Sequence, residues 1–252
     1  MKQKLRFLGF SKAKASECMA VDEAIMLARE ADEVPDTLRF YVFEPPAVTI
    51  GYFQSKQQEV DIKKAGSLDV DIVRRLTGGG AVYHDSGGFT YSFICSEDSV
   101  PSDILESYQF ICNGIIKSLE RLGLKAEFKP VNDIILNGKK VSGNAQTRRR
   151  GTVLQHGTLL LSVDVSTMFS LLKVPDEKLR DKMIKAVSER VTSLEEQLSR
   201  KVSFSEVSGA MEAGFSEVLG PMKQGLLTKN ELENAKRLKR EKYASKSWND
   251  MR

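Results

Sequence analysis

The order in which two hydrophobic periods follow each other constrains the fold of this chain most. Up to about residue 160 the apolar residues alternate or run in short β-branched and aromatic blocks, and beyond about 165 they recur at helical spacing. Ile134 to Leu136 and Lys139 to Ser142 flank Asn137-Gly138, a dipeptide that tolerates the positive φ of a two-residue turn and so joins antiparallel neighbours. Further strands are expected over Lys4 to Phe10, Leu38 to Phe43, Ala47 to Phe53, Asp69 to Leu76, Gly88 to Cys95 and Thr152 to about Val163. Two helices interrupt them. One runs from Ser16 to about Ala31 with Cys18, Val21, Ile25 and Ala28 on one face. The other opens at Pro101-Ser102-Asp103 and carries Leu105, Tyr108, Cys112, Ile115, Leu119 and Leu122 at helical spacing. Ser203 to Glu206 and Thr228 to Glu231 read as capping boxes, and the last helix, to about Tyr243, is basic. Strands first, helices later, and hairpins in place of regular βα alternation predict an α+β fold: a mixed, largely antiparallel sheet flanked by helices. We expect one large domain over 1–252, mainly helical from about 165.

Composition excludes several classes. No apolar run approaches the roughly 20 residues of a membrane helix, and the opening MKQKLRFLGF is too short in apolar residues for a signal peptide, so a cytoplasmic chain without a membrane partner is expected. Cys18, Cys95 and Cys112 are odd in number and widely spaced, which supports reduced thiols and no cysteine-rich metal site. The net charge of +4 is too small to argue for a nucleic-acid partner, and neither the Arg148-Arg149-Arg150 run nor the basic helix at 236–242 alternates with aromatics that could stack on bases.

Two segments can carry chemistry. In Arg74 to Gly88, Gly78, Gly79 and Gly80 strip side chains from the backbone so that a ligand can lie on its N–H and C=O groups, with Arg75 adjacent and Tyr83 and His84 following. A turn with surface arginines is the plain alternative. The second segment runs from Asn132-Asp133 through the hairpin to Lys139-Lys140, Ser142-Gly143-Asn144-Ala145, and on to Gln155-His156-Gly157. Strand alternation predicts that Lys140, Ser142 and Asn144 share a face. Both histidines of the chain lie in these segments.

Together the segments resemble the lipoate-protein ligase family, whose catalytic domain is related to biotin protein ligase. Arg74-Arg75, two residues, Gly78-Gly79-Gly80, Ala81-Val82, an aromatic and His84-Asp85 match its first motif. Asn132-Asp133, Gly138-Lys139-Lys140, Ser142-Gly143 with Ala145, and the run from His156 to Leu160 match its second. Weaker likeness covers Gly51 to Gln54, Lys173 to Arg190 and the C-terminal Lys242-Tyr243 with Trp248-Asn249. The resemblance implies a ligase that uses ATP and Mg to convert lipoate or octanoate to an acyl-adenylate. It then transfers the acyl group to a lysine of a lipoyl-domain protein, such as a 2-oxoacid dehydrogenase acyltransferase subunit or the glycine cleavage H protein. By position it implies that Arg75, Thr77, Gly78, Gly79, Gly80, Val82, Tyr83 and His84 line the adenylate pocket, joined by Asn132, Asp133, Ser142, Gly143, Ala145 and His156. Lys140 would be the catalytic cation, Mg would sit near Asp133, and Arg148 and Arg149 would touch phosphate or a partner. The small C-terminal accessory domain of many ligases is missing here, which predicts a separate accessory subunit.

Two other readings compete. An octanoyltransferase of the same fold would take the acyl group from acyl carrier protein through a cysteine thioester. It is disfavoured here because Pro130 to Asp133 holds no cysteine. A non-catalytic lipoyl- or RNA-binding protein would keep the pocket or the basic patch without depending on Lys140.

Overall fold

The computed structural model describes residues 5–173 and 180–252. Lys4 and part of the Lys173 to Arg190 motif fall outside them. Eight strands form a large sheet in the order β11 (Met222–Gln224), β1 (Leu5–Ala13), β2 (Thr37–Phe43), β6 (Gly88–Ser96), β10 (Thr152–Leu160), β9 (Lys139–Arg149), β8 (Asp133–Leu136), β7 (Ala126–Lys129). A smaller sheet has the order β4 (Asp71–Arg74), β3 (Ala47–Ile50), β5 (Val82–His84). Pairing is antiparallel from β2 to β7 and parallel where β1 meets β2 and β11 and where β3 meets β4. The expected mixed, mostly antiparallel α+β architecture is therefore what the chain adopts.

Helices cover both faces of the large sheet. α4 (Ile104–Arg121) and α8 (Phe204–Leu219) bury Ile111, Cys112, Ile115, Leu119, Val207, Met211 and Phe215 against one face. α1 (Ala15–Glu30) and α9 (Lys229–Leu238) cover the other, with Cys18, Ile25 and Leu238 in that core. Short helices α2 (Lys56–Glu59) and α3 (Ile62–Ser67) flank the small sheet, and α5 (Val165–Leu171), α6 (Arg180–Arg190) and α7 (Leu194–Leu198) follow β10. A π-helical turn (Lys239–Tyr243) and α10 (Lys246–Asn249) close the chain. Among the described residues no helix is long and apolar enough to cross a membrane.

Local chemistry explains several boundaries. Asp103 begins α4 by accepting the Glu106 amide, and Thr228 with Glu231 forms a reciprocal capping box at α9. Ser203 caps α8 through the Glu206 amide, while the reciprocal bond from Glu206 is not made: its carboxylate is taken by Arg200. Asn137 and Gly138 have φ of 48° and 77°, the left-handed pair a two-residue hairpin turn requires. Leu105, expected inside, is exposed, because the apolar face of α4 begins one turn later. The expected strands at 47–53 and 69–76 end at Ile50 and Arg74. There the buried Arg74 guanidinium collects the carbonyls of Gly51, Tyr52, Gln54, Trp248 and Asn249 at 2.5–3.2 Å, which pulls the chain out of the sheet.

Candidate active site

The alternation expected for Lys140, Ser142 and Asn144 does not hold. Ile134 pairs with Ser142 but Ile135 pairs with Lys140, so Val141 is an extra residue in β9. Such a bulge reverses which face the following side chains occupy. Ser142 therefore faces the α4/α8 core with Ile134, while Lys140 turns to the opposite face. A Cβ on Gly143 would lie 2.9 Å from Lys140 Cε and Nζ, so the lysine lies across the bare glycine. Its ammonium meets Asp133 Oδ1 at 2.6 Å, with both side chains about one third exposed.

On this face opens a cavity of about 390 Å³, between the large sheet, the small sheet and the glycine loop. Of the expected site residues it gathers Arg75, Gly79, Gly80, Val82, Tyr83, His84, Asn132, Lys140, Gly143, Ala145 and His156. Thr77, Gly78, Asp133 and Ser142 stand behind the wall and do not line it. Arg148 and Arg149 are not brought in. They close β9 about five residues beyond Gly143, roughly 16 Å along the strand. There Arg148 donates to the carbonyls of Pro101 and Ser102, and Arg150 is a turn residue with φ of 47°. Sequence reasoning missed the apolar walls: Met19, Phe43, Leu160, Met168, Val187 and Val191 come from five separate elements or their flanks.

Arg75 was expected to offer charge to a ligand, and instead it holds the loop. Its Nε donates to Thr77 Oγ1 at 3.2 Å, Nη1 to Thr49 O and Oγ1, and Nη2 to the carbonyls of Gly78 and Gly80 at 2.8 and 2.7 Å. Burial pushes the guanidinium down to about 10, so it stays charged at neutral pH. Because Thr77 Oγ1 accepts from Arg75, its hydroxyl proton is directed to His156 Nε2 at 2.8 Å, leaving the ring proton on Nδ1, 3.6 Å from Asp22 Oδ2. Asp22 is buried and also receives Arg39 at 2.7 Å, Tyr41 at 3.0 Å and Ser92 at 2.7 Å. Burial works to raise this carboxyl, but the Arg39 charge, the neighbouring His156 ring and the Ser92 hydrogen bond outweigh it and hold it below the usual range. His84 bonds Thr49 at 2.9 Å, and burial, with Arg75 nearby, pushes it down to about 3, so it is neutral.

Asn144, on the core face, reaches behind the sheet to the second motif. Its Nδ2 donates to Asn132 O at 2.9 Å, its Oδ1 accepts from Tyr91 at 2.8 Å, and Asn132 Nδ2 donates back to Asn144 O. A Cβ on Gly157 would lie 2.0 Å from Asn144 Oδ1, which is why the strand opposite is bare there. This clamp fixes the start of β8 and with it Asp133. The Mg expected near Asp133 does not fit the donors present. The carboxylate is engaged by a cation, and among the described residues no three His, Cys, Asp or Glu side chains converge.

The profile of the lipoyl protein ligase A/B catalytic domain matches residues 14–216. The octanoyltransferase LipM of Kyrpidia tusciae is 37% identical over 98% of this chain and 98% of its own. That of Brevibacillus brevis is 37% identical over 92% and 93%. Among solved structures, the bi-partite lipoate protein ligase of Thermoplasma acidophilum superposes with a TM-score of 0.87 at 34% identity, covering 99% of this chain and 96% of that one. The fold is thus that of the lipoate-ligase catalytic domain. The expected ATP-dependent ligase activity is overturned by the full-length octanoyltransferase relatives, and ATP and Mg as substrates go with it. Pro130 to Asp133 holds no cysteine.

Proposed function

We propose that this chain, which belongs to the lipoyl protein ligase A/B catalytic-domain family, is an octanoyltransferase: it moves an octanoyl group from a thioester on acyl carrier protein to a lysine of a lipoyl domain. Members of this family modify lipoyl-domain acceptor proteins. The observation that carries the reading is a single ammonium, that of Lys140, lining a largely apolar cavity of about 390 Å³. That volume lies in the range of about 300–1,000 Å³ typical of small-ligand sites. Burying an eight-carbon tail at about 0.8 kcal/mol per methylene supplies on the order of 5 kcal/mol, enough to hold the acyl chain without recognising the rest of the donor.

Chemistry then belongs to the Lys140 end. As an amine adds to the thioester carbonyl, negative charge grows on the carbonyl oxygen, and a fixed ammonium lowers that barrier by about 3–4 kcal/mol. The bulge at Val141 turns the lysine to the cavity, Gly143 leaves the space it crosses, and Asp133 holds its ammonium. The experiment is to mix the chain with octanoyl-acyl carrier protein and an apo lipoyl domain, without ATP, and follow the acceptor's mass. Acylation that falls about 10²- to 10³-fold in Lys140→Met, with the fold kept, supports the reading. Wild-type turnover in that variant removes Lys140 from the mechanism, and no transfer from the thioester refutes the activity.

A further inference from the structure

The glycine loop takes its position from Arg75, and Arg75 takes its own from the residue before it. Arg74 closes β4, the edge strand of the small sheet, so its outward backbone groups face away from the ladder. Both are met by α10, 174 and 175 positions further along the chain: Arg74 N donates to Asn249 Oδ1 at 2.8 Å, and Arg74 O accepts from Trp248 Nε1 at 2.9 Å. The Arg74 guanidinium returns the contact, donating to Trp248 O at 3.1 Å and Asn249 O at 3.0 Å. Asn249 is buried, and its Nδ2 donates to Tyr243 O at 2.9 Å and Ser245 O at 3.1 Å. Those donations fix which way the amide points and leave Oδ1 to face Arg74.

A second route runs through the rings. Trp248 lies between Tyr243 and Tyr52, with centroids 6.0 and 5.8 Å away. Tyr52 N donates to Thr77 O at 2.9 Å, and a Cβ on Gly51 would fall 2.0 Å from Gly79 O, so the turn after β3 lies against the glycine loop. Arg75 N in turn donates to Ile50 O at 3.0 Å, and its guanidinium gathers the carbonyls of Gly78 and Gly80. Gly79 and Gly80 line the cavity. A short helix remote in sequence thus reaches the cavity wall by two chains of contacts, one through the Arg74 backbone and one through Tyr52.

We propose that Trp248 and Asn249 are positioning residues for the glycine loop. They hold Arg74, Arg74 sets where Arg75 begins, and Arg75 sets the wall against which the acyl chain of the donor lies. Neither residue lines the cavity. The identity of the donor rests on the transferase reading, whereas the link from α10 to the loop does not.

The test uses the full chain and three variants. Trp248→Phe keeps a ring between Tyr52 and Tyr243 and removes the bond to Arg74 O. Asn249→Ala removes the acceptor for Arg74 N, and Asn249→Asp keeps one. Without ligand, amide exchange over residues 76–81 should quicken about 10-fold in Trp248→Phe and Asn249→Ala, the equivalent of one net hydrogen bond, and stay near wild type in Asn249→Asp. Exchange in β6 and β10 should be unchanged in all three. With octanoyl-acyl carrier protein and an apo lipoyl domain, Asn249→Ala should raise the KM for the donor about 10-fold and leave the KM for the acceptor alone, as expected when binding to one wall is lost. A variant that is merely part unfolded loses kcat with the inactive fraction and keeps both KM values. Unaltered exchange at 76–81 in both Trp248→Phe and Asn249→Ala, or a loss confined to kcat, overturns the proposal. If the chain acylates its acceptor only from free octanoate and ATP, the transferase reading fails, and exchange at 76–81 still decides this one.

Discussion

The clamp between Asn144 and the start of β8 makes a quantitative prediction through Gly157. A methyl group there would fall 2.0 Å from Asn144 Oδ1 and 2.8 Å from Tyr91 Cε1, so Asn144 must swing away. The swing breaks its bonds to Asn132 O and Tyr91. Asn132 O keeps the Asn144 amide at 3.0 Å, and Tyr91 Oη still accepts from Gln155 at 2.8 Å while its own hydroxyl proton loses its acceptor. The first lost bond therefore costs about 1 kcal/mol and the second at least that. Crowding adds about 1–3 kcal/mol, and the stiffer unfolded chain returns about 0.4–1 kcal/mol. Gly157→Ala should thus destabilise by about 2–4 kcal/mol and Asn144→Ala by about 1–2 kcal/mol. In the double variant the clash with Asn144 is gone, so the total should fall short of the sum by about 1–2 kcal/mol. Urea unfolding followed by the fluorescence of Trp248, the one tryptophan of the chain, measures all four corners of the cycle. Additivity within about 0.5 kcal/mol would refute the clamp.

Three further outcomes are expected. Gly143→Ala places a methyl 2.9 Å from Lys140 Nζ and Cε, and the flexible lysine yields, so stability should hold while the transfer rate falls by about 10²-fold; an unchanged rate contradicts the placement of Lys140. His84, held near 3 against an ordinary value of 6.5, remains neutral in the folded chain while the unfolded chain takes up a proton below about 6.5. The unfolded state thus binds more protons between those values, so stability is full above about pH 6.5 and falls as pH drops toward 3, by on the order of 4 kcal/mol. Unfolding of wild type and His84→Asn compared across that window should show a shallower pH slope for the variant. Arg74→Met frees five carbonyls, should cost about 3–5 kcal/mol, and should speed amide exchange in Lys246 to Asn249, while unaltered exchange there would show that Arg74 does not anchor the tail.

Much of this molecule is legible in local chemistry. Asn137-Gly138, the Asp103 and Thr228 caps and the burial of Cys18 and Cys112 follow from spacing and residue type, because each is decided within a few residues. The face of Lys140 is not, since the extra residue at Val141 is set by pairing with β8 and leaves no mark in the alternation of β9. The Arg148 to Arg150 run misleads because a cluster of charge does not say whether it faces a ligand or the carbonyls of a neighbouring turn. The apolar walls are tertiary. Val187 and Val191 read as ordinary positions on or just beyond a charged helix, and only the return of α6 toward β9 brings them over the cavity. Asp22 did leave a signal: it is a carboxylate amid the apolar residues of α1, where an ion survives only with partners such as Arg39 and Ser92.

Donor choice tests the central claim most directly. The chain and an apo lipoyl domain are given either octanoyl-acyl carrier protein without nucleotide or free octanoate with ATP and magnesium, and the acceptor's mass and released pyrophosphate are followed in both. The account predicts octanoyl addition from the thioester alone and no pyrophosphate. Acylation only from the free acid, with pyrophosphate released in step, would contradict it.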